Sequence, residues 1–122
     1  MDTTVVTTKT ETNAMYRAAI VSVLEDFHQL NLKAGSDLES ILESMLICDD
    51  RSQNYLLVLA GWQGNTRIKQ VQIHLRLLDD RIWIEEDWTE EGVVYDLMRL
   101  GVDREAIELA FLPPKAREFA DV

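Results

Sequence analysis

The chain reads as a single α+β domain: an N-terminal helix, an antiparallel four-stranded meander, then a helix and a short final strand or extended segment. Three observations predict this class. An apolar stripe at three/four spacing lies near the N-terminus, four strand-like runs joined by short turns follow, and a Thr-Glu-Glu helix start leads to a glycine stop. A length of 122 residues suits one core that needs no staples.

Met1 to Thr12 is rich in threonine and lacks helical periodicity, which predicts a flexible arm ahead of a domain spanning 13–122. Tyr16, Ile20, Val23, Leu24, Phe27 and Leu30 then form one stripe on a helix, with Asn13 as its expected N-cap and Gly35-Ser36 as its break. Four strands are expected at 40–48, 54–62, 68–77 and 81–86. The second is apolar on both faces, as for a central, covered strand. In the third, Val71, Ile73, Leu75 and Leu77 share one face with Lys69, while Gln70, Gln72, His74 and Arg76 share the other. The turns Asp49-Asp50-Arg51-Ser52, Gln63-Gly64-Asn65 and Asp79-Asp80 are short enough for hairpins.

Thr89 is the expected cap of a second helix, with Glu90 and Glu91 in its first turn where the dipole favours negative charge. Val93, Val94, Leu97 and Met98 supply its apolar side, Arg99 lies in its last turn and Gly101 ends it. Asp103 caps a short turn before a strand or extended segment from Ile107 to Leu112. Pro113-Pro114 stops that segment, and the tail from Lys115 forms one helical turn anchored by Phe119.

Twelve basic residues against twenty-two acidic ones give a net charge of −10. Binding to a nucleic acid is driven by neutralising phosphates, so this balance disfavours it apart from a local patch at Arg67, Lys69 and Arg76. A lone Cys48 precludes an internal disulfide and fits a reducing compartment; no leader and no membrane-length apolar run are read, so a cytoplasmic protein is expected.

No constellation for catalysis stands out, and no catalytic, metal-binding or cofactor-binding residue is assigned; a non-enzymatic role with no cofactor is expected. The acidic run Glu85, Glu86, Asp87, Glu90, Glu91 is the one metal candidate, but on a regular strand Glu85 and Asp87 point away from Glu86, which favours capping and solvation. His28 and His74 have no ligand-spaced partner, and Cys48 reads as a small buried hydrophobe. Trp62, Trp83 and Trp88 sit at strand ends or in the strand-to-helix corner. Trp83 has opposite parity to Ile82 and Ile84, so it is either covered core or interface; Trp83 and Trp88 are the candidate interface residues.

The order and spacing of several short motifs carry a resemblance. Val58-Leu59-Ala60-Gly61-Trp62, Ile73-His74-Leu75-Arg76, Asp80-Arg81-Ile82-Trp83-Ile84 and Asp87-Trp88-Thr89-Glu90 come first. Leu100-Gly101-Val102, Ile107-Glu108-Leu109-Ala110-Phe111-Leu112-Pro113-Pro114, Arg117 and Phe119-Ala120 follow. Together these resemble the cyanobacterial XisI family, described as fdxN element excision controlling factors, from the first helix to the C-terminus. The motif positions Gly61, Trp62, Trp83, Asp87, Thr89, Glu90, Gly101, Pro113 and Pro114 carry no assigned role. Two positions depart: Trp88 stands where the family favours a small residue such as glycine, and Leu112 where it often carries histidine.

The resemblance implies a non-enzymatic controlling factor for site-specific excision of a DNA element during heterocyst development. Such a factor acts through protein contacts with a XisH-like companion or the recombinase. Direct DNA binding is the alternative and a metal-dependent nuclease the remote one. Open sheet edges and exposed aromatics also admit a homodimer.

Overall fold

The computed structural model describes residues 8–35 and 40–117. Helix α1 (Lys9–Ala34) lies across one face of a sheet formed by β1 (Ser40–Asp49), β2 (Asn54–Gln63), β3 (Thr66–Leu78), β4 (Arg81–Asp87) and β5 (Ile107–Leu109). A short α2 (Val94–Arg99) and a 3-10 turn (104–106) connect β4 to β5, and one turn of helix, α3 (Pro114–Arg117), follows. Spatial order equals sequence order, and β1 to β4 form the expected antiparallel meander. The final segment corrects the four-stranded expectation: β5 joins the edge parallel to β4, so the sheet is five-stranded and mixed. The α2 crossover returns the chain in the same direction as β4, which a hairpin could not do.

The first helix starts earlier than expected. Thr8 Oγ1 accepts the amide of Glu11 at 3.1 Å, so the cap is Thr8, Asn13 lies inside α1, and residues 9–12 are helical. Residues 1–7 of the expected arm, and Phe119 at the other end, fall outside the described residues.

Tyr16, Ala19, Ile20, Val23 and Leu24 are buried on the sheet, with Phe27 half-buried against the core. The stripe fails at Leu30, which is 58% exposed. At that end polar side chains face the strands instead: His28 Nδ1 meets Ser44 Oγ at 2.8 Å, and Asn31 Nδ2 donates to Ser44 Oγ and to Gln72 Oε1.

Two bulges redistribute side chains between the faces. Leu57 pairs with Ile73 but Val58 with Val71, which leaves Gln72 as the extra residue. Val71 and Lys69 therefore share the outer face with their partners Val58 and Ala60, whereas Gln72 turns to α1; the sequence pattern had placed both the other way. The second bulge leaves Glu85 unpaired, because Ile84 pairs with Leu75 and Glu86 with His74. The core is closed by Tyr55, Leu57, Ile73, Leu75, Leu77, Ile82 and Ile84 from the sheet and by Val93, Val94, Leu97 and Val102 from the connection.

Candidate functional site

The outer face of the sheet carries several exposed large apolar side chains. Ile41, Glu43, Met45 and Ile47 of β1 stand beside Trp62, Ala60, Val58 and Leu56 of β2, with Arg67, Lys69, Val71 and His74 of β3 beyond them. Ile41 is 65% exposed and Trp62 48%, and Met45 and Ile47 are also exposed. α1 packs on the opposite side of these strands. β2 is thus central as expected, but among the described residues no helix covers its outer side. Large apolar side chains exposed together on one face are uncommon on folded domains. β1 also leaves one long edge without a neighbouring strand among the described residues.

The basic residues of this face are largely engaged. The Arg67 guanidinium lies 5.6 Å from the Trp62 ring centroid and donates to the Gly61 carbonyl; Arg76 sits 3.6 Å from the Glu85 carboxylate. His74 Nε2 meets Asn54 Oδ1 at 2.8 Å, and burial pushes the imidazole below its ordinary pKa.

At the far end of the face lies the acidic corner. The bulge at Glu85 puts Glu85 and Glu86 on the outer side, next to Arg76 and His74, while Asp87, paired with Ile73, turns to the inner side. This corrects the alternation read from the sequence, which grouped Glu85 with Asp87. Asp87 Oδ1 accepts from the amide and hydroxyl of Thr89, and Oδ2 accepts the Val93 amide at 2.7 Å. The second helix begins only at Val94, after Val93 and with no side-chain cap, so Thr89 is not its cap and Glu90 and Glu91 precede it in the bend. The aspartate gathers the bend from 88 to 93 around itself. Its carboxylate is committed to structure.

Trp88, 67% exposed, donates its indole N–H to Glu86 Oε2 at 3.0 Å. It borders a cleft of about 450 Å³ together with Glu85, Glu86, Asp87 and Phe111. Phe111 lies within the segment expected to be extended from Ile107 to Leu112, where nothing in the spacing singles it out as a site residue.

Trp83 lies on the outer side, opposite the buried Ile82 and Ile84, and is half-buried. Its indole N–H donates to the Leu78 carbonyl at 3.0 Å, and the Arg117 guanidinium lies 5.5 Å from the ring centroid. Arg117 in turn donates to the carbonyls of Leu109, Leu112 and Ala110. The C-terminal segment thus caps Trp83, a contact that matches neither simple core nor open surface.

Gly61 needs its freedom: its φ is 156°, and a Cβ there would fall 1.8 Å from the Ile41 carbonyl oxygen. Gly101, at φ 97°, follows α2 as expected, and Pro114 opens α3 directly after Pro113. Cys48 corrects its expectation, being exposed at the end of β1 rather than buried; partial desolvation raises its thiol pKa, which works against nucleophilicity. Among the described residues no group of three or more His, Cys, Asp and Glu side chains is placed to hold a metal ion, and no helix is long and apolar enough to cross a membrane.

Fold and site together define a two-layer α+β domain with large apolar side chains exposed on one sheet face and an acidic, aromatic cleft at its end. The chain belongs to the XisI family, whose model, described as XisI protein, matches residues 10–122. Two crystal structures from Anabaena variabilis are similar to it. One, a XisI-like protein, is 28% identical with a TM-score of 0.79, covering 89% of this chain and 95% of that one. The other, the fdxN element excision controlling factor XisI, is 26% identical with a TM-score of 0.74, covering 87% of this chain and 98% of that one. Among curated proteins no sequence matches.

Proposed function

We propose that the chain is a non-enzymatic controlling factor for excision of a DNA element, acting through protein contacts with a XisH-like companion or the recombinase. Family membership and the similarity to an excision controlling factor support the role in excision. One observation carries the mode of action: the exposed apolar face of Ile41, Met45, Ile47 and Trp62, whose burial against a partner would remove it from water. The test is co-expression with a XisH-like companion followed by size-exclusion chromatography. A co-eluting complex supports the reading; separate elution of two folded proteins contradicts it.

One finding favours direct DNA contact as a second reading. The bulge at Gln72 brings Lys69 onto the outer face with Arg67 and Arg76. Against it, Arg67 is stacked on Trp62 and Arg76 faces Glu85, within a chain of net charge −10. A mobility-shift titration at low salt separates the two, because phosphate contacts are strongest there.

A further inference from the structure

We infer that the cleft at the Trp88 corner is a docking site for an extended, arginine-bearing segment of a protein partner. The inference rests on the reading that the chain works by binding protein, and it assigns the chemistry of one part of that contact.

Three features converge on this occupant. The first is charge. The bulge at Glu85 turns two consecutive carboxylates, Glu85 and Glu86, to the same side of β4, and the exposed Glu90 and Glu91 follow in the adjoining bend. A regular strand would have split the first pair between the faces.

The second is the aromatic wall. Trp88 and Phe111 border the cleft at 67% and 50% exposure. The Trp88 indole N–H is held by Glu86 Oε2, which fixes the ring by its edge beside a carboxylate. A guanidinium can lie flat on such a ring while its N–H fork meets a carboxylate; an ammonium, compact and strongly hydrated, does this less well.

The third is backbone shape. β5 runs beside β4 only from Ile82 to Ile84, and the Ala110 amide makes the last bond there, to the Ile84 carbonyl. Past that point, among the described residues, Glu85–Asp87 has a strand neighbour on the β3 side alone. An extended segment entering along the line of β5 would lie against this stretch of β4 and across the cleft.

Other occupants fit less well. A second copy related by a two-fold axis through the cleft would place acidic corner against acidic corner. A polyanion meets the same repulsion. A metal cation would have to compete for Asp87, whose two oxygens already accept three donors.

The test uses the intact chain and two labelled peptides, one alternating arginine with valine and one alternating lysine with valine. Binding is read by fluorescence anisotropy at near-physiological salt and mapped by backbone and indole amide NMR. The expected result is that shifts concentrate at the Trp88 indole, residues 85–91 and residues 109–111. The lysine peptide should bind roughly fivefold more weakly, and Trp88→Ala or Glu86→Gln should weaken the arginine peptide about tenfold, given the range of cation–π and charge-assisted contacts. The double substitution Glu25→Gln with Asp26→Asn on α1 should change little. Shifts spread evenly over the acidic surface, or wild-type affinity in Trp88→Ala with its spectrum otherwise intact, would overturn the inference.

Its failure is separable from that of the functional reading. A companion that co-elutes equally with wild type and with Trp88→Ala removes the cleft but keeps the protein contact. A peptide that binds at the cleft of a chain that retains no companion removes the excision-partner reading alone.

Discussion

Asp87 holds Val93 across five intervening residues: its Oδ2 accepts the Val93 amide at 2.7 Å while Oδ1 accepts both the amide and the hydroxyl of Thr89. One carboxylate thereby closes the bend that delivers the buried Val93, Val94 and Leu97 to the core. Asp87→Ala leaves at least two backbone donors without their charged acceptor, and a loss of about 2–3 kcal/mol is expected in urea unfolding. Asp87→Asn keeps an oxygen for Thr89 but offers an N–H to the Val93 amide, so an intermediate loss is expected. An alanine variant as stable as wild type would show that the bend forms without its staple.

Gly61 sits where the β1 backbone leaves no room for a side chain on β2. A Cβ would fall 1.8 Å from the Ile41 carbonyl oxygen and 2.9 Å from the Leu42 Cα, with a backbone φ of 156° that side chains resist. Gly61→Ala is expected to cost at least about 2 kcal/mol and to increase hydrogen exchange selectively in the first half of β1. Unchanged protection there would mean that the two strands separate easily to admit the methyl group.

Tyr55 donates its hydroxyl to Asp50 Oδ1 at 2.8 Å, and Asp50 also accepts a two-pronged contact from Arg17. Burial, then the bond to Asp50, push the Tyr55 pKa up to about 12 from its ordinary 10.0. The folded state thus holds this proton more tightly than the unfolded chain does. The contribution to stability is complete below pH 10 and is lost as pH rises toward 12. Asp50 has the opposite sign: the hydrogen bond from Arg17, then that from Tyr55, lower its pKa, so its contribution is present at neutral pH and lost as pH falls through that depressed value. In Tyr55→Phe, the phenolate absorbance titration should lose its most alkaline step in the folded protein. Retention of that step would place the perturbed phenol elsewhere.

Arg117 ties the C-terminal segment to the sheet by donating to three carbonyls and lying 5.5 Å from the Trp83 ring centroid. Arg117→Ala should cost about 1–2 kcal/mol and alter the Trp83 fluorescence, which can be isolated in a variant lacking the other two tryptophans. Arg117→Lys should recover little, since an ammonium cannot reproduce the planar fork over the ring. Full recovery by lysine would reduce the contact to charge alone.

The legibility of this fold in its sequence tracks periodicity. The α1 stripe from Tyr16 to Phe27 and the four meander strands follow from spacing, and Asp79-Asp80 adopts positive φ in the tight turn read there. The two bulges were illegible, because one extra residue in a strand leaves composition unchanged while reversing the phase of everything beyond it. That reversal moved Val71 and Lys69 to the outer face and put Glu85 beside Glu86, so the open face could not be assembled from alternation alone. Thr8 and Glu11 were a readable capping box, obscured by a run of threonines that looked aperiodic. Trp88 was legible as exposed, but Phe111 joined it only through the parallel return of β5.

The outer face of β1 and β2 is expected to meet a protein. Co-expression of the XisH-like companion with Met45→Glu/Ile47→Glu tests it most directly, since both side chains are exposed and their replacement should leave the core intact. The wild-type chain is expected to co-elute with the companion by size-exclusion with light scattering, and the folded double variant to elute alone. Co-elution undiminished in the double variant, or absent in the wild type, would show that this face is not the contact surface.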